Sequence, residues 1–414
     1  MTESRGVEPE GTSAAGRPSL TAGQLLRARA LWLVPALLAM VVVSLIALVY
    51  FGSIVDPTKH LDGLPVLLVH QGSGAAIGVN DRVEAALRAD PAVDGPLALT
   101  TTTLRDAKAR MDDGRAYATV VLQGGGSAVE VLTNVRNGSV GVELATEALE
   151  PALVRAYAGI GSASGRPAVR VTPYRPLPAN AGLGLGAFYL ALLATMCGFL
   201  GATIVQSTVD SATGYTPSET GPRWKQRMPV RITRWQTILA KWCMVAVLVP
   251  LLTALVVLVA VVVLGLDAPG VGFLWLYMTF GAVVVSVGTL TLLAIFGTLG
   301  QLLALMLFVY LAMSASGGTI PREALPAFFR AFSYVDPLRQ IIDGVRAIVY
   351  FDGAMAAGLA RGLVMTAVGL VFWLVLGAVV TRWYDRRGQE RLTPGLLARI
   401  EASAVDVEID APPA

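Results

Sequence analysis

Stretches without a single charged side chain set the pattern of this sequence. No Asp, Glu, Lys or Arg occurs between Arg29 and Asp56, Arg175 and Asp210, Lys241 and Asp267, Asp267 and Arg322, or Arg361 and Arg382. An α-helix rises ~1.5 Å per residue, so about 20 apolar residues cross a hydrocarbon core of ~30 Å. Four of these gaps fit one crossing each, and the gap from Asp267 to Arg322 is long enough for two. The expected spans are residues 31–51, 183–204, 238–266, 271–297, 299–315 and 363–380. The expected fold is an α-helical polytopic membrane protein of about six transmembrane helices, with an α/β extracytoplasmic domain inserted between helices 1 and 2. The organisation expected along the chain is a disordered cytoplasmic leader (1–30), a transmembrane helix (31–51) and the α/β domain (52–181). A five-helix membrane domain follows (182–381), with a cytoplasmic loop at 206–236 and an outer amphipathic segment at 320–352. A cytoplasmic tail (382–414) ends the chain.

Within 52–181, strand and helix signals alternate. Residues 65–69 form a short apolar run, 80–88 a helix with Asn80 as its N-cap, and 97–103 a strand. Residues 104–113 are helical and end at Gly114, 117–122 are a strand, and Gly124-Gly125-Gly126 is a turn. A strand at 129–133 and a long amphipathic helix at 140–158 follow, then a Gly/Pro-rich tether at 159–177. The order β-α-β-α-β-β-α predicts a two-layer α/β domain. In the outer segment, Asp336 is placed to cap a helix and Pro337 suits its first position. Leu338, Ile341, Ile342, Val345 and Val349 form an apolar stripe. Arg339, Asp343 and Arg346 form the other face, spaced for charge pairs at i,i+4 and i,i+3. This helix is too polar to span. It lies at the outer interface or dips into the protein.

Composition agrees with the pattern. Hydrophobic residues make up 54% of the chain and charged residues 15%, against about 25% charged in soluble chains. The net charge of +3 has no clustered basic face, so no nucleic-acid partner is expected and the lipid bilayer is. The first apolar run is too long and too far along the chain for a signal peptide, and reads as an uncleaved span. Lys and Arg fix its orientation. Arg17, Arg27 and Arg29 precede it. Arg223, Lys225, Arg227, Arg231 and Arg234 lie between spans two and three, against only Asp210 and Glu219. Arg382, Arg386, Arg387 and Arg391 follow the last span. All three segments fall on one side of a six-span chain, which is therefore expected to be cytoplasmic, with both termini inside and 52–181 outside. Both cysteines, Cys197 and Cys243, fall in spans. A cysteine-free outer domain suits a bacterial envelope, and the expected location is the bacterial plasma membrane.

The chemistry expected of the chain is sparse. It contains no Gly-x-x-x-x-Gly-Lys-Ser/Thr loop, so it is not its own ATPase. Gly72-Ser73-Gly74-Ala75-Ala76-Ile77-Gly78 reads as a structural turn. The histidines, His60 and His70, lack the partners of a metal site. No serine sits in a nucleophile elbow. The expectation is no catalytic residue, no cofactor, no metal and no enzyme activity. No ionisable group is expected at mid-membrane, where ion-coupled transporters carry them. Lys241 is expected to snorkel to the cytoplasmic interface. The glycines of 182–186 and 198–201 suit close helix packing or dimerisation.

Several ordered motifs look familiar. The strand Pro65-Val66-Leu67-Leu68-Val69-His70-Gln71-Gly72 resembles the opening of YhgE/Pip-type outer domains. The run from Ala107 through Gly114 and Tyr117 to Leu122 is similar to another of their segments. Thr319-Ile320-Pro321, Leu325-Pro326, Asp336-Pro337-Leu338 and Asp343-Gly344-Val345-Arg346 resemble the region before the last span in membrane subunits of type-2 ABC exporters. The chain departs from the pattern at 70–74, which lacks the usual acid, and at Gln123-Gly124, where a proline is usual. The resemblance implies a permease subunit acting as a homodimer, driven by a separate cytoplasmic ATPase. That ATPase would dock on the basic loop carrying Arg223, Lys225, Arg227, Arg231 and Arg234. A hydrophobic or amphiphilic compound would be exported. The alternative is a non-transporting receptor or secretion-system scaffold of the YhgE/Pip type. Single cysteines at Ser127 and Ser218, in a cysteine-free background, are expected to react oppositely with an impermeant thiol reagent on intact cells. Equal labelling contradicts the six-span topology.

Overall fold

The structure is a computed structural model that describes residues 29–54, 56–73, 75–124, 128–160, 168–220, 223–225, 228–389 and 391. Residues 1–28 of the expected disordered leader, all but the first residues of the expected tail, part of the Gly124–Gly126 turn and Arg227 lie outside the described residues, and the last two leader residues already belong to a helix. The chain divides into two compact units, residues 1–48 and 49–414. The first is described as part of helix α1 (Arg29–Ile54), 26 residues with no charge after Arg29.

The second unit begins with an α/β domain. Its strands are β1 (Leu64–His70), β2 (Leu97–Thr102), β3 (Ala118–Leu122), β4 (Ala128–Thr133) and β5 (Ala168–Pro173). Its helices are α2 (Ala75–Arg88), α3 (Leu104–Asp112) and α4 (Ser139–Gly159). The sheet order is β2-β1-β3-β4-β5. β1 pairs in parallel with β2 and β3, β3 with β4 antiparallel, and β4 with β5 in parallel. The two-residue period of β1 decides the layering. Leu64, Val66 and Leu68 face a core completed by Val83 and Leu87 of α2 and by Leu149 and Leu153 of α4. Leu67 and Val69 face the other way, onto Ala107 and Met111 of α3. Helices therefore cover both faces, and the domain has three layers rather than the two expected. An apolar β1 buried on both sides requires this. Two further expectations fail. Asn80 is not a cap but a buried residue inside α2, whose Nδ2 donates to the carbonyls of Gln71 and Leu122 at 3.0 and 3.2 Å. The expected tether contains β5, whose polar alternation and flanking prolines hid an edge strand.

The membrane region follows. It contains α5 (Gly186–Ala212), a short hairpin of β6 (Ser218–Thr220) and β7 (Arg223–Lys225), and α6 (Arg234–Leu258), extended by a π-helical turn at Val259–Val263. Next come α7 (Val271–Phe296) and α8 (Thr298–Leu305), which runs through a π-helical stretch (Met306–Leu311) to Ala315. Two shorter helices, α9 (Ala327–Phe332) and α10 (Pro337–Tyr350), precede α11 (Leu359–Arg386). Among the described residues, five helices are long and apolar enough to cross a membrane: α5, α6, α7, α8 with its extension, and α11. Gly297, with φ +61° and ψ −134°, makes the one-residue break between α7 and α8.

Their outer faces are apolar. Val364, Val368, Val371, Val375 and Val379 recur at helical spacing on α11, all more than half exposed, as suits a helix face meeting hydrocarbon. Helix α7 is the centre of the bundle, with Leu274, Met278, Ala282 and Val285 buried against α5, α6, α10 and α11.

The glycines of α5 belong to this packing. A Cβ on Gly198 would fall on the Ala282 carbonyl oxygen of α7 and within 3.0 Å of Val285 Cβ. Ser286 Oγ donates across the same contact to the Gly198 carbonyl at 2.8 Å. At Gly201 a Cβ would meet Val249 and Leu252 at 3.4 and 3.5 Å, ordinary contact distances. Gly198→Ala is expected to lower stability by about 1–3 kcal/mol through overpacking. Gly201→Ala is expected to change it by less than about 1 kcal/mol, since Ala is the better helix former. Thermal unfolding of the purified protein in detergent checks the order.

Candidate functional site

Among the described residues, two polar clusters stand in this otherwise apolar bundle, one at each end. The first lies where α5 ends and α6 begins. Gln206 and Asp210 are one turn apart on α5, so their side chains share a face. Lys241 lies about two turns into α6. Its Nζ donates to Asp210 Oδ1 at 2.6 Å and to Gln206 Oε1 at 2.8 Å. Gln206 Nε2 donates to Asp210 Oδ2 at 2.8 Å. Arg391, beyond the end of α11, donates both terminal nitrogens to the two Asp210 oxygens at 3.0 Å. Its guanidinium also lies 4.4 Å from the centre of the Tyr215 ring. One carboxylate thus serves two cations. The side chains of Lys241 and Asp210 are only 5% and 8% exposed. Lys241 therefore does not snorkel. The overlooked partner is Asp210, which sits inside the last turns of α5 rather than in a loop.

The start of α6 is held from the same side. Thr233 and Gln236 form a reciprocal cap. The carboxylate of Asp385, near the end of α11, accepts from the amides of Arg234 and Trp235 at 2.9 and 3.0 Å. An anion at a helix N-terminus is favourable. Arg382 stacks on Trp235 at 4.2 Å and Arg234 on Tyr384 at 5.1 Å. A cavity of about 830 Å³ opens beside these groups, with Asp210, Lys241, Thr237 and Gln301 in its wall. Nothing here aligns a nucleophile with a base. The arrangement fastens α5, α6 and α11 together through charge.

The expected basic loop is dispersed by the fold. Arg223 and Lys225 lie on β7, registered opposite Thr220 and Ser218 of β6. Arg231 is exposed. Arg234 opens α6, and its Nε donates to the Gln389 carbonyl at 3.0 Å. The sequence pattern pointed to these five bases but not to Asp210, Asp385 or Arg391. The spacing of Gln206 and Asp210 on one helix face was the available signal.

The second cluster surrounds α10. Asp336 is its N-cap and accepts from the amides of Leu338 and Arg339 at 3.0 and 3.3 Å. The carboxyl is fully buried. Burial pushes its pKa well above the ordinary range, while those two N–H groups and Arg339 pull it back. Pro337 takes the first helical position, as expected. The helix is buried nearly all round, on α5, α7 and α11, so it dips into the protein rather than lying on its surface. Arg339 Nε reaches Asp343 Oδ2 at 3.4 Å, and its Nη1 donates to Ser333 Oγ at 3.1 Å. The expected i,i+3 pair is not formed. The Asp343 carboxylate turns toward Arg339 and leaves Arg346 without an ion-pair partner among the described residues.

The C-terminal end of α10 is finished by other elements. Arg136, from the α/β domain, donates to the Tyr350 carbonyl at 2.8 Å and to the Pro176 carbonyl at 3.0 and 2.9 Å. The Tyr350 hydroxyl accepts from the Ala187 amide at 3.1 Å and donates to the Ala181 carbonyl at 3.3 Å, closing the start of α5. Burial raises the Tyr350 phenol, which keeps it a neutral donor. Arg330 donates to Asp62 Oδ2 at 2.6 Å and to the His60 carbonyl at 2.7 Å. It fastens α9 to the chain entering the domain. Arg136, Arg330 and Tyr350 carry no sequence signal, because Arg136 and Tyr350 bond backbone groups far along the chain and Arg330 bonds Asp62 and the His60 carbonyl some 270 residues away.

Five membrane-length helices, a two-residue-period sheet domain and a buried non-spanning helix before the last span narrow the kind of protein this is. Residues 29–379 match the family described as ABC-2 family transporter protein. The chain belongs to this family. No curated protein and no solved structure matches it. Membership of the ABC-2 family makes the chain a multi-pass plasma-membrane protein with a general permease role, associated with a separate ATPase subunit.

The Asp210 cluster makes an ordered prediction. Asp210→Asn leaves Lys241 and Arg391 facing each other without a counter-charge, and is expected to cost about 3–5 kcal/mol. Lys241→Met leaves Asp210 paired with Arg391 and should cost clearly less. Unfolding midpoints of the two variants in detergent test the order. Equal midpoints contradict it.

Proposed function

We propose that this chain is the membrane subunit of an exporter, moving a hydrophobic or amphiphilic compound and driven by a separate ATPase. The match of residues 29–379 to the ABC-2 transporter family carries this reading. Two features support it. The sequence has no phosphate-binding loop, so the energy comes from a partner. The one buried ion cluster within the described membrane helices lies at a bundle end and holds helices together, rather than forming a relay across the membrane.

In this reading α1 is the sixth span and both termini are cytoplasmic. The α/β domain lies outside, and the chain works as a homodimer. The ATPase docks on the segment with Arg223, Lys225, Arg227, Arg231 and Arg234. The Asp210, Lys241 and Arg391 cluster lies at the base of that segment. Motion imposed on the segment would reach α5, α6 and α11 through those charges. On the other side, the helix of Asp336, Pro337, Arg339, Asp343 and Arg346 would pass the motion to the α/β domain through Arg136.

The test is affinity purification in mild detergent, followed by reconstitution of the chain with the copurifying ATPase in liposomes. ATP-dependent movement of an amphiphilic dye is expected, and is expected to vanish without the ATPase. If no ATPase copurifies and no movement appears while the α/β domain binds an external protein, the chain is instead a receptor or scaffold of the YhgE/Pip type.

A further inference from the structure

The first turn of α11 carries a cation that no acid neutralises. Arg361 makes no ion pair among the described residues, and its charged neighbours are Arg339, Asp343 and Arg322. Arg339 and Asp343 pair with each other at 3.4 Å, and Arg322 pairs with Glu323 at 3.3 Å. Arg361 is therefore the surplus charge. Its guanidinium lies 5.5 Å from the centre of the Tyr334 ring, and that of Arg322 lies 5.3 Å from the same centre. Arg322 Nη1 donates to the Tyr334 hydroxyl at 3.3 Å, which leaves the phenolic hydrogen to donate elsewhere. Tyr334 is 51% exposed and the Arg322 side chain 30%, so these groups can be reached from outside. Guanidinium groups are the side chains best matched to phosphate, in charge and in geometry.

An apolar cavity begins at the same place. It has a volume of about 440 Å³ and lies between α7, the π-helical stretch of α8, the start of α10 and α11. Val335, next to Tyr334, is in its wall, and so is Gln340. The Tyr334 carbonyl is approached by Gln340 Nε2 at 3.2 Å and by Arg361 Nη2 at 3.5 Å, which sets the guanidinium at the edge of the cavity. Leu307, Ile341, Met365 and Trp373 make the interior apolar, and the described wall contains no charged side chain. Arg361, Met365, Val368 and Phe372 recur at helical spacing on one face of α11. Val368 and Phe372 are 55% and 54% exposed, so this face opens sideways to hydrocarbon. From Arg361 to Phe372 the helix runs about 16 Å, against about 15 Å for one leaflet of hydrocarbon. A free anion would use only the arginines, and an alkane only the cavity. A phospholipid uses both.

We infer that this site holds an anionic phospholipid, with its phosphate on Arg361, Arg322 and the Tyr334 hydroxyl and one acyl chain in the cavity along α11. A zwitterionic lipid brings its own cation and leaves the Arg361 charge uncancelled, whereas an anionic lipid cancels it. The inference does not depend on transport. The site opens toward lipid whether or not the protein moves a cargo.

The test uses the full chain in phosphatidylcholine nanodiscs. Phosphatidylglycerol or phosphatidylcholine with a photoactivatable diazirine in one acyl chain is added at equal mole fraction. Labelling of residues 365–373 is expected to be about fivefold stronger with the phosphatidylglycerol probe, the worth of one arginine near an anionic headgroup. Arg361→Gln should bring the two probes level. Gly369→Leu puts a side chain into the cavity. Its Cβ meets only Val284, at 3.4 Å, so the fold should persist and labelling of the wall by both probes should fall. Glycerophosphoglycerol, the headgroup without its chains, should not displace the probe. Equal labelling of the wild-type wall by the two probes overturns the inference, as does a preference that survives Arg361→Gln or labelling that Gly369→Leu leaves unchanged. Displacement by the free headgroup overturns it in favour of a site for soluble anions. If Arg361→Gln fails to elute as a monodisperse species, the wild-type comparison and Gly369→Leu decide.

Discussion

Backbone groups removed from water must be bonded, and here that requirement falls hardest on α10. A spanning helix leaves its unpaired ends near water. Helix α10 does not span, and both its ends are buried. The N-terminal end is met locally, by the Asp336 carboxylate. The C-terminal end is met from more than two hundred residues away, by Arg136. Its last side chain, Tyr350, in turn closes the start of α5. The α/β domain, α5 and α10 therefore complete one another. The domain closes the end of α10, and α10 closes the start of α5.

The opposite end of the bundle is closed by different physics. There the bonds are between ions, with one Asp210 carboxylate shared by Lys241 and Arg391. A buried ion pair is a weak source of net stability, since desolvation offsets much of the attraction. Its value is in selecting one arrangement. An apolar contact between α5 and α6 could slide by a residue with little penalty, whereas the carboxylate meets the ammonium in one register only. The domain end is thus joined largely through carbonyls, which salt barely screens. The other end is joined by charges that a competing ionic surface can reach through Arg391, whose side chain is 22% exposed.

Much of this was legible in the sequence, and the failures have clear causes. Charge-free runs located the five membrane-length helices, with ends displaced by up to eight residues, because hydrocarbon excludes charge all along a span. Strands β1 to β4 were legible as short strand-forming runs between turn and helix signals, and α3 from its Gly114 stop. Strand β5 was not, since an edge strand with both faces partly wet looks like a linker. The helix at Pro337 was read from its cap and stripe. That it is buried was not legible, because a stripe shows which face is apolar but not how many neighbours surround the rest. The Asp210 cluster was missed because Lys241 was read alone. A lone lysine near a span end is expected to snorkel, and only the fold supplies the acid that keeps it inside. Arg136 was out of reach altogether, since a carbonyl is the same at every residue.

The Arg136 joint has a mechanical meaning. Its guanidinium bridges the carbonyls of Pro176, on the strand-side exit of the α/β domain, and Tyr350, at the end of a helix embedded among the spans. Together with Arg330 at the domain's entrance, it fixes the domain at two points. A body pinned twice cannot swivel freely on its tethers. A pull on the sheet is delivered as a tug on α10, and through Tyr350 on the first turn of α5. The domain is a handle rigidly mounted on the bundle, and whatever grips it has hold of the helices as well.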